Sequence, residues 1–125
     1  MKSAKTLPKD APYEEHFKDG SVSCTGHYRD GLKTGEWKYY LLNGRIKAIG
    51  AFSRDQMTGE WKWFRENGEL MQTGAFDNGK RTGIWRRYDP KGKLQVEGAY
   101  DGERKTGEWK TYDSKGNLTK TTRHK

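Results

Sequence analysis

The sequence predicts an all-β fold, an elongated single sheet in which stacked β-hairpins form an antiparallel meander of about ten strands. The first observation behind this prediction is a repeat: "GEWKYYLLNGRIKAIGAF" at 35–52 returns as "GEWKWFRENGELMQTGAF" at 59–76. The second is that a glycine recurs roughly every eight residues, a spacing that would cost a helix about 1 kcal/mol per glycine. The third is that aromatic residues make up 13% of a chain that is only 30% hydrophobic. Large rings at fixed positions must therefore supply the folding energy.

The repeat has a period of 24 residues, as from Gly35 to Gly59, and runs without insertions through units that start near 13, 35, 59, 83 and 107. One of its invariant columns is Trp37, Trp61, Trp85 and Trp109. A repeat of this length that keeps so many columns in phase indicates one supersecondary unit used several times. We therefore expect a repeat domain at 13–122, a flexible basic tail at 1–12 and a short C-terminal tail at 123–125.

The turns between strands are predicted from glycine pairs. If Asn43 and Gly44 are the central residues of a two-residue hairpin, Leu42 faces Arg45, Leu41 faces Ile46 and Trp37 faces Gly50. The same counting puts Tyr13 opposite Gly26. Each large ring then lies opposite a glycine and has room to lie across the neighbouring strand. In contrast, the segment "SRDQMT" between Phe52 and Gly59 is predicted to be a long loop.

Side-chain alternation divides the predicted sheet into two faces. One face, called here the aromatic face, carries Trp37, Tyr39, Leu41, Ile46, Ala48, Phe52 and the equivalent residues of the other units. The other, called here the charged face, carries Glu36, Lys38, Tyr40, Lys47, Ile49 and their equivalents. Only the aromatic face is apolar enough to pack.

The recurrent Gly-x-Trp, Gly-x-Tyr/Phe and turn-glycine pattern resembles the MORN repeat, in the longer-period variant common in bacterial proteins, over roughly Tyr13 to Leu118. The resemblance implies an elongated antiparallel sheet of stacked hairpins. It also implies an adaptor, scaffold or dimerisation module, with lipid-headgroup binding proposed for some members and an antitoxin or immunity label for one bacterial branch. It brings no catalytic residues and no cofactor.

Residues that do chemistry should break the repeat, and few do. His27 replaces an alanine of the other units but has no second histidine at a metal-binding spacing, so we expect a surface histidine. Cys24 falls on the aromatic face in the column of Ala48, Gln72 and Val96, where a small packed residue is expected. We therefore predict no catalytic residues, no metal site, no cofactor and no enzymatic activity.

Binding features remain. On the aromatic face the column Tyr39, Trp63, Arg87, Thr111 changes character while its neighbours stay fixed, as a recognition surface in a repeat protein would. The sequence thus predicts a protein-binding module, and the resemblance to the MORN repeat implies that this chain is an adaptor or an antitoxin or immunity protein for its partner. The candidate partner-binding residues are Trp37, Tyr39, Trp61, Trp63, Trp85, Arg87 and Trp109.

Two alternatives stay open. The charged face carries one cation per unit, Lys38, Lys62, Arg86 and Lys110, a ladder that would suit lipid headgroups or nucleic acid. Glu36, Glu60 and Glu108 share that face, so nucleic acid or an anionic membrane is the less favoured partner. The second alternative is a structural scaffold that associates with itself, as a homodimer or through its sheet ends.

Charge and cysteine content say little more about the partner. The net charge is +8, but residues 1–12 contribute +2 and residues 117–125 contribute +3, leaving +3 for the rest. Basic ends of this kind are usually solvated. Cys24 is the single cysteine, so no intrachain disulfide forms, and no signal peptide or membrane span is read in the chain as given. We therefore expect a soluble cytoplasmic protein.

Overall fold

The computed structural model describes residues 9–125 and shows one open antiparallel sheet whose ten strands are neighbours in chain order. The predicted all-β meander is confirmed. The strands are β1 (Asp10–His16), β2 (Val22–Arg29), β3 (Leu32–Tyr40), β4 (Ile46–Ser53), β5 (Gln56–Phe64), β6 (Leu70–Asp77), β7 (Lys80–Tyr88), β8 (Leu94–Asp101), β9 (Arg104–Tyr112) and β10 (Leu118–His124). Most of the tail predicted at 1–12 lies outside the described residues.

The register of the hairpins agrees with the prediction in mid-strand but not at the turns. Gly50 pairs with Trp37, Gly74 with Trp61 and Gly26 with Tyr13, as expected. At the turn between β3 and β4, however, the Leu41 N–H donates to the Arg45 carbonyl at 2.8 Å, so the loop has three residues rather than two. It is a type I turn completed by Gly44 at a φ of 88°, a form that three-residue loops often take.

A bulge then restores the expected register. Tyr40 pairs with Ile46 and Tyr39 with Ala48, which leaves Lys47 as an extra residue on β4. Since paired residues share a face, Ile46 lies with Tyr40 on the charged face, and its predicted place on the aromatic face is wrong. The loop and the bulge each shift the pairing by one residue in opposite directions, so the two errors cancel in mid-strand.

The segment "SRDQMT" is not a long loop. Ser53 pairs with Gln56 and Phe52 with Met57, so both strands continue to a two-residue turn at Arg54 and Asp55. Both turn residues have positive φ, 51° and 68°, which is the type I′ conformation that matches strand twist. The prediction was wrong because neither turn residue is glycine, although the same turn in the next unit uses Asn78 and Gly79.

The Gly-x-Trp motif forms a second kind of bulge. Ala51 pairs with Thr58 and Ile49 with Lys62, so residues 59–61 of β5 all lie opposite Gly50 of β4. Gly59 has a φ of 67°, a conformation that residues with a Cβ rarely adopt. The bulge directs the indole of Trp61 back over β4.

Each tryptophan ring therefore lies on a glycine, and this glycine belongs to the strand that precedes the tryptophan in the chain. A Cβ built on Gly50 would lie 2.0 Å from Cδ2 of Trp61, and one on Gly26 would lie 2.0 Å from Cδ2 of Trp37. The sequence paired Trp37 with Gly50 correctly, yet the ring that lies on Gly50 belongs to the next unit. Counting residues from the turn predicted which residues are paired across the strands, but not the direction in which the tryptophan ring points.

The core is a continuous ladder of rings along the aromatic face. Trp61 makes edge contacts with Phe52 at 5.2 Å and Phe76 at 6.3 Å between ring centroids, and the same geometry recurs in the neighbouring units. The ladder ends at β10, where Thr122 takes the glycine position and His124 the aromatic position, 6.4 Å from Trp109. A single row of rings from successive units forms the core, in place of packing against a second layer of secondary structure.

Candidate functional site

Three of the predicted partner-binding residues are buried in this ladder. Trp37 is 1% exposed, Trp61 2% and Trp85 7%. Each indole N–H is also satisfied, since that of Trp61 donates to the Ala51 carbonyl at 3.0 Å and that of Trp85 to the Ala75 carbonyl at 3.2 Å. These rings form the floor of the aromatic face. Trp109, at the last unit, is half-buried.

The variable column remains partly accessible above that floor. Tyr39, Trp63 and Thr111 are half-buried and Arg87 is exposed. The Trp63 ring lies between two core rings, 6.0 Å from that of Trp61 and 5.5 Å from that of Trp85. This packing fixes Trp63 while leaving part of it open to solvent.

The column is part of a longer row that crosses the sheet, called here the cross-strand row. Its members pair side by side from β2 to β10, so all of them lie on the aromatic face. In order they are Cys24, Tyr39, Ala48, Trp63, Gln72, Arg87, Val96, Thr111 and Lys120. Cys24 is buried, as predicted, while His27 is exposed, also as predicted. Burial raises the pKa of Tyr39 to about 12, with a smaller contribution from Cys24.

Sequence reasoning missed a second set of side chains on this face. Lys33 Nζ lies 5.1 Å from the ring centre of Trp37, Arg81 Cζ 5.0 Å from that of Tyr100, and Lys105 Nζ 4.7 Å from that of Trp109. Met57 takes the same position in the second unit, opposite Phe52. In the sequence these residues form one column, two positions before the glycine of each Gly-x-Trp motif. Met57 of this column lies in the segment that was predicted to be a loop.

Met57 and Arg81 of this set help to line an open groove of about 620 Å³ over the third and fourth units. Its walls combine rings and cations, among them Trp63, Phe76, Arg81, Arg87 and Tyr100. Arg81 is held in place, because its guanidinium bonds the Glu103 carboxylate at 3.2 Å and the Tyr100 hydroxyl at 3.0 Å. The guanidinium of Arg87 makes no ion pair or hydrogen bond with any residue in 9–125, although its backbone pairs with β6 and β8.

The family model of the MORN repeat variant matches residues 57–78, 81–101 and 105–125. The chain belongs to this MORN repeat family. MORN repeats are generally protein- or membrane-binding modules and are not known for enzymatic activity. No curated protein matches the chain.

The charged face of the MORN sheet carries the four candidate anion-binding cations. Arg86 bonds Glu97, its register neighbour on β8, at 3.1 Å, while Lys38 lies 3.9 Å from Glu36 and Lys62 lies 3.9 Å from Glu60. Lys110 pairs in register with Glu97. The ladder is therefore interleaved with acids, which lowers its attraction for phosphate groups.

The described residues of the MORN sheet contain neither a cluster of metal ligands nor a membrane-spanning helix. Within residues 9–125, no group of three or more histidine, cysteine, aspartate or glutamate side chains is arranged to hold a metal ion. The part of the chain that the structure describes also contains no helix long and apolar enough to cross a membrane.

Proposed function

We propose that this MORN sheet is a protein-binding module and that its partner binds in the groove of the aromatic face. The observation that carries the proposal is that Trp63 and Arg87, the middle members of the variable column, line this groove, while the tryptophan column beneath them is constant. In a repeat protein, constant positions maintain the frame and variable accessible positions confer specificity.

The groove has the features of a protein-binding hot spot. Trp63 is half-buried and flanked by Phe76 and Trp85, so a partner would remove its remaining contact with water over a rigid floor. Tryptophan, tyrosine and arginine dominate the energetics of protein interfaces when they sit in such settings. Because the ring ladder already holds Trp63, little side-chain entropy is lost on binding.

The biological role follows from the partner. An antitoxin or immunity role requires a toxin in the groove, and an adaptor role requires two proteins bound at once. We propose the cytoplasm as the compartment, on the grounds that Cys24 is the single cysteine. A homodimer formed through the aromatic face would occupy the same groove, so the oligomeric state must be measured beside partner binding.

A capture experiment with matched variants tests this proposal. The purified protein, Trp63→Thr and Lys62→Glu serve as baits in native cell extract, washed at low and at high salt, and retained proteins are identified by mass spectrometry. Trp63→Thr places in the groove the residue that the last unit carries at Thr111, so folding should be retained. Lys62→Glu alters the charged face only.

We expect one protein retained by the wild type and by Lys62→Glu at high salt, and lost with Trp63→Thr. Burial of apolar surface responds weakly to ionic strength, whereas phosphate contacts weaken steeply. Nucleic acid or lipid released at high salt and lost with Lys62→Glu would instead assign binding to the charged face. Light scattering that shows a dimer broken by Trp63→Thr would assign the groove to a second copy.

A further inference from the structure

We infer that the partner contributes an acidic segment with interspersed apolar residues, which lies along the cross-strand row with its carboxylates toward Arg87 and Lys120. The inference rests on the proposed function and adds the chemistry of the partner to it.

The charge of the cross-strand row changes along the sheet. From Cys24 to Gln72 its members are neutral, whereas from Arg87 to Lys120 it contains two cations and no acid. Arg87 is flanked in register by Gln72 on β6 and Val96 on β8, neither of which can neutralise it. Lys120 is exposed on β10 beside Thr111.

The acid that lines the groove does not compensate these cations. Among the lining residues, all within the described part of the chain, Glu103 is the one carboxylate. Its oxygens accept from the Arg81 guanidinium at 3.2 Å and from the Arg81 backbone N–H at 2.7 Å. Arg81 and Glu103 thus satisfy each other, and Arg87 keeps its five donors available.

An exposed guanidinium in a groove walled by rings favours a carboxylate. The fork of Arg87 matches the two oxygens of an aspartate or glutamate, and nearby aromatic surface lowers the local dielectric constant. At the same time Trp63 and Phe76 present apolar surface that an acidic side chain alone would leave exposed. The complementary segment therefore alternates acids with apolar residues.

The distance along the row sets the length of the segment. From Trp63 on β5 to Lys120 on β10 there are five strand spacings of about 4.8 Å, roughly 24 Å in total. An extended chain of about seven residues, at about 3.3 Å each, spans that distance. A short linear segment is sufficient to contact the whole row.

Two other occupants fit less well. A second copy of this chain would present the same row, which carries two cations, Arg87 and Lys120, and a single acid, Glu15 beside Cys24, so it would bring little negative charge to the groove. A polyphosphate or nucleic acid backbone would neutralise the cations without covering Phe76 and Met57. Both become outcomes of the test below.

The test uses displayed random peptides of about ten residues, long enough to cover the row, selected against the intact protein. Enriched peptides are then synthesised with a fluorophore, and their dissociation constants are measured by anisotropy for four proteins. These are the wild type, Trp63→Thr, the double variant Arg87→Glu with Lys120→Glu, and the matched control Lys62→Glu with Lys110→Glu. The two double variants make the same charge change on opposite faces of the sheet.

We expect enriched peptides to combine aspartate or glutamate with leucine or an aromatic residue. Their affinity should fall about tenfold or more in the Arg87 and Lys120 double variant, as for loss of charge-assisted hydrogen bonds. In the charged-face control it should change by about twofold at most, as for charges that contact no partner. Added salt should weaken wild-type binding only in part, because it screens Arg87 and Lys120 but not the apolar contacts of Trp63, and should leave the Arg87 and Lys120 variant little changed.

Three outcomes would overturn the inference, and they separate its failure from that of the proposed function. Peptides that lack an acidic excess, bind the Arg87 and Lys120 variant normally and are lost with Trp63→Thr would leave the proposed function standing alone. A selection with no peptide that depends on Trp63 or Arg87 would overturn both. Binding of a short polyphosphate that requires Arg87, with no peptide enriched, would assign the row to phosphate.

Discussion

At the scale of single residues, the pairing of glycine with tryptophan stabilises this sheet. Gly50 has no side chain, so the Trp61 indole can lie directly on the backbone of β4 and donate its N–H to the Ala51 carbonyl. The ring is almost completely buried although, within residues 9–125, the chain forms a single sheet and only side chains of that sheet cover it. A glycine that usually weakens a strand here allows the largest side chain to be buried.

Substitution of this glycine should therefore be destabilising. The Cβ of Gly50→Ala would lie about 2 Å from the Trp61 ring, and overpacking of this kind costs about 1–3 kcal/mol or more. Urea denaturation followed by tryptophan fluorescence measures the loss. Thr122→Ala, at the same column in the last strand where no ring lies above, serves as the control and should change stability by about 0.5 kcal/mol at most. Equal effects of the two variants would contradict the role assigned to the ring.

Tyr39 makes stability depend on pH in the alkaline range. Burial raises the pKa of its phenol to about 12, above the usual value of about 10, so the folded state favours the neutral form. Its contribution is fully present below pH 10 and is lost as the pH rises toward 12. Denaturation midpoints measured from pH 9 to 12 should fall less steeply for Tyr39→Phe than for the wild type. Parallel curves for the two proteins would be inconsistent with this assignment.

At the scale of elements, the hairpin turns at the two ends of the strands are of different types. The type I′ turns at one end include Arg54 with Asp55 and Asn78 with Gly79, all at positive φ. They are connected to the strand of the preceding unit, since the Asp55 N–H donates to the Lys33 carbonyl at 3.1 Å. Asp55 also accepts from the Lys33 N–H at 2.7 Å through its carboxylate. Turn residues thus help to hold consecutive units in register.

The first residue of the turn at Arg54 can be improved. Its φ of 51° is unfavourable for arginine, whereas asparagine tolerates this conformation and occurs at the equivalent Asn78. Arg54→Asn should raise the free energy of unfolding by about 0.5 kcal/mol. The reciprocal change Asn78→Arg should lower it by a similar amount in the same urea titration. The opposite order of the two variants would exclude backbone strain as the cause.

At the scale of the whole molecule, stability is distributed along a line of nearest neighbours. Each strand contacts the strands beside it, and each ring contacts rings of its own and the adjoining units. Such a chain behaves as a series of units with interface terms between them. The interfaces are nearly equivalent, because Gly50 with Trp61, Gly74 with Trp85 and Gly98 with Trp109 share one geometry.

Removal of one full period should therefore leave a folded sheet. Deletion of residues 59–82 joins Thr58 to Gly83, so that Trp85 takes the place of Trp61 over Gly50. We expect a cooperative β-sheet protein with a lower urea midpoint and a smaller m value, in proportion to the surface buried. Deletion of 59–70 alone, half a period, breaks the ring ladder and should prevent folding. If both deletions unfolded the chain, the linear description would be wrong.

The sequence predicted those features of the fold that follow from columns shared by all units of the repeat. The period, the two strands per unit, the mid-strand pairings and the packed position of Cys24 follow from columns that recur in every unit. The turn at Arg54 and the bulge at Lys47 did not, because their residues vary or their shifts cancel. The cations over the rings were missed because Lys33, Arg81 and Lys105 occupy the column of Met57, which lies in the segment "SRDQMT" that was predicted to be a loop.

By itself the sequence determined that this chain forms a single antiparallel sheet and which columns face each other across its strands. Alternation and turn residues encode both properties locally. The tertiary structure decided which rings are floor and which are accessible, since the bulge after Gly59 turns Trp61 onto Gly50 and leaves Trp63 in the groove. Burial is a property of contacts between units, and no single unit encodes it.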